Sequence, residues 1–279
     1  MFLQAFPRGW RHMLPVFALV VATALLLAAS SRADSPPEPQ GENLVAQPLL
    51  YPLVGTTAWD ISWPQCDNGE RPTGPINFAV IGVNGGRMYT KDDCLGEMYR
   101  WASAGRTIPQ VYMNTNSPPK TYTNPGCKDT DEWCKSYYYG YDGAADAVKY
   151  ARAQSADPRQ WWLDVETGNF WSTDTVANSR VVSGAIEYLQ ATGHTVGVYS
   201  TPRQWGIIVG DYKPYLPAWT AGAADLAEAP TRCTDRFAFG GGRVAMVQYV
   251  SEHFDTNYIC PDIIHPRAIA PGLSANTPH

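Results

Sequence analysis

Basic patches are missing from this chain. Its formal net charge is −5, from 21 Lys and Arg against 26 Asp and Glu, and the cations form no cluster. Phosphate backbones are gripped by Lys and Arg, so nucleic acid is not expected as a partner. No Cys-x-x-Cys pair occurs and the five His are scattered, which argues against a bound metal. No Gly-x-Ser-x-Gly elbow or Ser/His/Asp set appears, so a serine-type hydrolase has no nucleophile to build on. No glycine-rich phosphate loop follows the first strand-like segment, which removes the usual nucleotide-binding sheet. No cofactor is expected. Internal repeats and low-complexity tracts are also missing.

What is present starts with an N-terminal address. Arg8 and Arg11 precede an apolar stretch over 14–29, and Ser31-Arg32-Ala33 puts small residues where signal peptidase needs them. Residues 1–33 read as a secretory signal peptide. The competing reading is an uncleaved membrane anchor, since the stretch approaches the roughly 18 residues that span a bilayer. Both place the remainder outside the cytoplasm, secreted or at the cell envelope, and after cleavage no membrane association is expected. Residues 34–53 are polar with several Pro, a linker. Residues 54–262 run roughly 210 residues without an internal break, a length suited to one domain and to a monomer. Residues 263–279 form a Pro- and Ala-bearing tail.

Six cysteines follow the signal, an even number that in a secreted chain points to disulfides. Six cysteines allow fifteen pairings. The locally sensible set is Cys66–Cys94, Cys127–Cys134 and Cys233–Cys260. Ten Trp and sixteen Tyr make the chain rich in aromatics, which fill cores and also serve as flat apolar platforms for sugars.

The run Trp161-Trp162-Leu163-Asp164-Val165-Glu166 reads as a strand of aromatic and branched residues. Alternation places Trp162, Asp164 and Glu166 on one face and Trp161, Leu163 and Val165 on a core face. The two carboxylates are then about 6.5 Å apart at Cα. Paired acids at a strand end are what acid/base chemistry on a glycosidic bond requires. A salt-bridged pair capping the sheet is the structural alternative.

Strands are predicted over 57–62, 77–83, 108–114, 161–166 and 195–200. Helices are predicted over 94–104, 141–153, 175–191 and 201–209, with a long disulfide-clipped loop over 116–135. Three further strands, 216–221, 244–250 and 255–259, lack helices between them. Alternating strands and helices favour a parallel sheet, and eight strands in this length favour closure into a TIM-like (β/α)5(β)3 barrel. An open doubly wound sheet is the competing architecture. Active sites of parallel barrels lie at the C-terminal strand ends. Asp60, Asn114, Asp164, Glu166, Tyr199, Trp219, Gln248 and Asp255 all fall near that mouth.

These residues resemble glycoside hydrolase family 25, the secreted lysozyme-like muramidases. Ala58-Trp59-Asp60-Ile61-Ser62-Trp63-Pro64-Gln65 is similar to the family's first-strand motif, with Ala58 at its Gly position. Asp164-Val165-Glu166, Tyr199-Ser200-Thr201, Trp219-Thr220-Ala221, Gln248-Tyr249 and Asp255-Thr256-Asn257 follow in the family's order. The third strand departs from it: Val111-Tyr112-Met113-Asn114 has no His. That departure, the long loop over 117–134 and the cysteines look more like a divergent actinobacterial branch. The resemblance implies a glycoside hydrolase acting on cell-wall polysaccharide with N-acetylated amino sugars. It makes Glu166 the general acid. Asp164 would stabilise positive charge near the anomeric centre or orient a substrate N-acetyl group. Asp60 and Asp255 would position substrate or water. Trp162, Tyr112, Asn114, Tyr199, Trp219 and Gln248 would contact the polysaccharide. A non-catalytic glycan-binding or cell-envelope protein on the same barrel is the second reading.

Overall fold

The computed structural model describes residues 54–251 and 254–261. The expected signal peptide, linker and C-terminal tail lie outside the described residues. No helix among the described residues is long and apolar enough to cross a membrane.

Eight strands close into one barrel in chain order: β1 Thr57–Ile61, β2 Ala79–Gly82, β3 Gln110–Asn114, β4 Gln160–Asp164, β5 Thr195–Ser200, β6 Ala218–Ala223, β7 Val244–Ser251 and β8 Phe254–Ile259. Five helices follow the first five strands: α1 Trp63–Asn68, α2 Leu95–Ala102, α3 Glu132–Ala153, α4 Thr175–Ala191 and α5 Pro202–Val209. Two short 3₁₀ turns, Ala229–Arg232 and Asp235–Phe237, stand where a sixth helix would be. This is the expected (β/α)5(β)3 barrel.

The sheet is not wholly parallel. β8 runs antiparallel to both β7 and β1. A parallel return needs a crossover of a dozen or more residues, whereas an antiparallel one needs only a tight turn. Two residues separate β7 from β8, so the chain can only double back. The reversal brings the start of β8, not its end, to the mouth formed by the C-terminal ends of the other strands.

Alternation along the strands builds two apolar layers. Phe78, Val80, Trp162, Tyr199, Trp219, Met246 and Ile259 fill the barrel. Ile81, Val111, Met113, Trp161, Leu163 and Val198 pack outward with buried residues of α2 to α5. Trp161 and Trp162 thus serve opposite layers, as the strand pattern requires. Gly197 on β5 makes room for the Trp162 ring, because an added Cβ there would sit 2.2 Å from it.

α3 begins at Glu132 rather than near Tyr141. Asp131 caps it by accepting from the Cys134 N–H at 3.0 Å. Its extra turns survive Gly140 and a run of tyrosines because they pack on α4. A Cβ on Gly140 would lie 1.9 Å from the Val181 carbonyl oxygen, and one on Gly184 would lie 2.1 Å from that of Tyr137. The two helix backbones approach through glycine, and tertiary packing overrides propensity. α1 is a short helix where none was predicted. The backbone N–H of Ser62 donates to Gln65 Oε1 at 2.9 Å, which fixes its first turn.

The three disulfides join the locally expected partners: Cys66–Cys94, Cys127–Cys134 and Cys233–Cys260. The first ties α1 to the start of α2. The second fastens the long β3–α3 loop to the first turn of α3. The third ties the 3₁₀ excursion to the end of β8.

Candidate active site at the barrel mouth

β1 delivers Asp60 to the mouth, β4 ends at Asp164, and Glu166 lies two residues beyond it. The strand is therefore shorter than expected, and Glu166 is carried by the β4–α4 loop. That loop is held firmly. Trp171 Nε1 donates to the Glu166 carbonyl at 2.8 Å, and Ser200 Oγ to the Val165 carbonyl at 2.7 Å. Fully buried Asn178 on α4 accepts from Ser117 Oγ at 2.6 Å and donates to the Ser172 carbonyl at 2.8 Å. The Ser117 N–H donates to the Phe170 carbonyl at 2.9 Å. Asn178 thereby knots the long β3–α3 loop to the loop bearing Glu166.

The four acids share one electrostatic environment. Burial, then the charge of Asp255, holds the Asp60 carboxyl well above the usual carboxylate range, against hydrogen bonds from Gln248 and Asn257. Burial, then Glu166 and Asp60, does the same to Asp164, opposed by the Asn114 amide. Burial raises Glu166, opposed by the Gln204 and Tyr199 side chains. Desolvation also raises Asp255, although much of that residue is open to solvent. Among the described residues no Lys, Arg or His forms an ion pair with any of the four. The capping salt-bridge alternative is thus not what the described residues form.

A hydrogen-bond chain crosses the mouth. Tyr199 donates its hydroxyl to Gln248 Oε1 at 2.7 Å, and Gln248 Nε2 donates to Asp60 Oδ2 at 2.8 Å. Gln248 is thereby turned so that its amide N–H faces the acid. Asn114 Nδ2 donates to Asp164 Oδ2. Tyr112 stands against Ser62 and near Asp60, and burial pushes its hydroxyl up. Asp164 Oδ1, Asn114 Oδ1 and Trp219 Nε1 are buried without a hydrogen-bond partner. Unpaired buried polar atoms are costly, and beneath an open mouth they are groups a ligand or water can satisfy.

Two of the expected sugar contacts lie deep in the barrel. Trp162 is 4% exposed, its ring stands 5.7 Å from that of Trp219, and its Nε1 donates to Gln110 Oε1 at 2.7 Å. Trp219 is 1% exposed and lies 4.5 Å from the Tyr199 ring. Both indoles plug the barrel beneath the mouth, because a barrel of this size must fill its own interior. Tyr112, Asn114 and Gln248 stay partly open.

The sequence reading passed over two rim aromatics. Trp63, at the start of α1, is 43% exposed. Its indole lies on the Gly85-Gly86 turn, where a Cβ on Gly86 would come within 3.4 Å of Nε1. Phe170, four residues beyond Glu166, is 66% exposed. Trp63 sits inside the first-strand motif, and its exposure follows from that motif running directly into a helix. Among the described residues, Cys66, Asp92 and Cys94 bring candidate metal ligands together, but the two sulfurs are joined to each other.

A family model described as "Lysozyme-like protein 1" matches residues 132–249. A Dictyostelium discoideum protein described as "Probable GH family 25 lysozyme 4" is 37% identical over 76 residues, 26% of this chain and 35% of that protein. A second, "Probable GH family 25 lysozyme 2" from the same organism, is 27% identical over 116 residues, 39% of this chain and 54% of that protein. The chain spans about a third to a half of the curated relatives it matches. A bacterial lysozyme structure from Streptomyces coelicolor covers 74% of this chain and 92% of its own, with 18% identity and a TM-score of 0.48.

Proposed function

Starting from a chain that is lysozyme-like, in the manner of glycoside hydrolase family 25, we propose that it is a secreted glycoside hydrolase. Its substrate would be a cell-wall polysaccharide with N-acetylated amino sugars, cut with the Asp164-Val165-Glu166 segment. The observation that carries this reading is Glu166: a half-buried carboxyl with a raised pKa, in reach of three other acids, with no cation paired to it among the described residues.

A glycosidic bond breaks when its leaving oxygen gains a proton as positive charge builds at the anomeric carbon. Glu166, whose carboxyl desolvation pushes up, is the group that would donate that proton. Asp164 sits deeper, 3% exposed, with Oδ2 held by Asn114 and Oδ1 unpartnered. That free oxygen would orient an acetamido N–H of the substrate or face the developing charge. Asp60, fixed by Gln248, and Asp255 on the rim would hold substrate or the attacking water. Trp63 and Phe170 offer apolar faces for pyranose rings on the rim.

The test is release of reducing ends from purified cell wall by the wild type. In Glu166→Gln the rate should fall by a factor on the order of 10²–10⁴, the usual contribution of a general acid. No release from any cell-wall or chitin-like polymer would overturn the reading. The alternative, a non-catalytic glycan-binding barrel, draws on Asn114, whose amide already occupies one Asp164 oxygen. It requires equally strong cell-wall binding by wild type and Glu166→Gln, without turnover by either.

A further inference from the structure

We propose that Asn84 is a positioning residue for Asp164, acting through Asn114; the inference rests on the glycosidase reading of the mouth. Asn84 lies two residues past the end of β2 and is 2% exposed. Its side-chain amide clasps the main chain of Asn114 at two points. Asn84 Nδ2 donates to the Asn114 carbonyl at 3.0 Å, and the Asn114 N–H donates to Asn84 Oδ1 at 3.0 Å.

This clasp continues the β2–β3 ladder after the β2 backbone has turned away. β2 pairs with β3 up to Gly82 and Tyr112, and the Val83 N–H still reaches the Tyr112 carbonyl at 2.9 Å. One step on, a side chain takes over the role of the missing strand. A carboxamide of this length supplies a donor and an acceptor together at that point at any pH.

On its other side Asn114 is the register partner of Asp164. Thr115 locks that edge: its N–H and hydroxyl both donate to the Asp164 carbonyl, at 3.0 and 2.5 Å. With its main chain fixed from both strands, Asn114 can aim only its side chain, and Nδ2 is aimed at Asp164 Oδ2. Asn84 past β2, with Asn114 and Thr115 at the end of β3, thus sets where the Asp164 carboxyl stands, and the Asn114 amide opposes the upward push of burial on its pKa.

The experiment uses Asn84→Asp and Asn84→Ala in the full chain, with two readouts. The first is the titration midpoint of the Asp164 carboxyl, followed by NMR of ¹³C-labelled aspartate. Loss of the clasp frees the Asn114 amide, so the midpoint moves up in both variants, as it does in Asn114→Ala. The second is turnover of cell-wall fragments. A misplaced reacting group costs on the order of tenfold or more in kcat, with KM little changed.

Asn84→Asp adds a signature that a merely structural residue would not show. Once protonated, the introduced carboxyl regains a donor and an acceptor, so the variant-to-wild-type ratio of kcat recovers towards one as pH falls. Taking that ratio at each pH cancels the titration of Asp60, Glu166 and Asp255, and the Asp164 midpoints measured by NMR in the two proteins supply the correction for the fourth acid. An unshifted Asp164 midpoint with unchanged kcat, even if thermal stability drops, overturns the proposal. If the wild type cleaves nothing, the glycosidase reading fails, and the carboxyl titration still decides the clasp.

Discussion

Asp60 on β1 and Asp255 on β8 are register partners across an antiparallel edge of the barrel. Two carboxyl-bearing residues stand opposite each other because β8 is reversed. Like charges directly opposite on neighbouring strands repel. Burial raises both carboxyls above the ordinary range, and the charge of Asp255 raises Asp60 further, so each favours its neutral form more than a free carboxyl does.

That pairing predicts a directional coupling. Asp255→Asn removes a charge that raises Asp60, so the Asp60 midpoint falls and the limb of the pH–rate profile that belongs to Asp60 moves to lower pH. Carboxyl NMR of Asp60 in the two proteins checks it. An unmoved Asp60 midpoint would mean burial alone sets it.

The rim makes a second prediction. Trp63 stands beside Gly86, exposed, while Trp162 and Trp219 are sealed in the barrel. If Trp63 is a sugar platform, Trp63→Ala weakens substrate binding by about 0.5–1.5 kcal/mol, roughly two- to tenfold in KM. kcat should hold, because a platform of this kind binds the sugar ring without taking part in the bond that breaks. Steady-state kinetics on a soluble cell-wall oligosaccharide separate the two constants. An unchanged KM beside a lowered kcat would assign Trp63 to folding of the mouth instead.

The sequence made the barrel readable, and its local chemistry explains where reading failed. α4 and β5 carry clean caps and periodicity, and their observed bounds coincide with the expected ones. The four acids and all three disulfides were also legible. The first half of α3 was not, because Gly140 and the tyrosines there argue against a helix until α4 packs on them. The burial of Trp162 and Trp219 was hidden for a related reason. Alternation tells which face of a strand a residue occupies, but not how deep in a closed barrel it sits. Asn84 gave no signal at all, since a side chain that substitutes for a strand is visible only once both strands are placed.

A third prediction concerns a buried acid the mouth does not use. Asp92 is fully buried between the Cys66–Cys94 disulfide and α3; its Oδ1 accepts from the Cys94 N–H at 3.0 Å, and Oδ2 has no partner. The Tyr150 hydroxyl on α3 is spent on the Asp92 carbonyl, at 2.8 Å. Burial pushes the carboxyl up to about 6, more than the Cys94 N–H and Arg71 pull it back. A carboxyl raised in the folded state is neutral in both states below about pH 4, so no stability is lost there. Stability is lost as pH climbs through 6, when the folded protein must ionise a group the unfolded chain ionises freely. Asp92→Asn keeps an acceptor for the Cys94 N–H and stays neutral. Above pH 6 the variant should be more stable by roughly 1–2 kcal/mol after discounting for solvent screening, a gain of a few degrees in Tm. Near pH 4 the two melting curves should converge. Thermal unfolding from pH 4 to 8 with the disulfides intact measures this, and a Tm difference that does not change with pH would show that Asp92 does not titrate in that window.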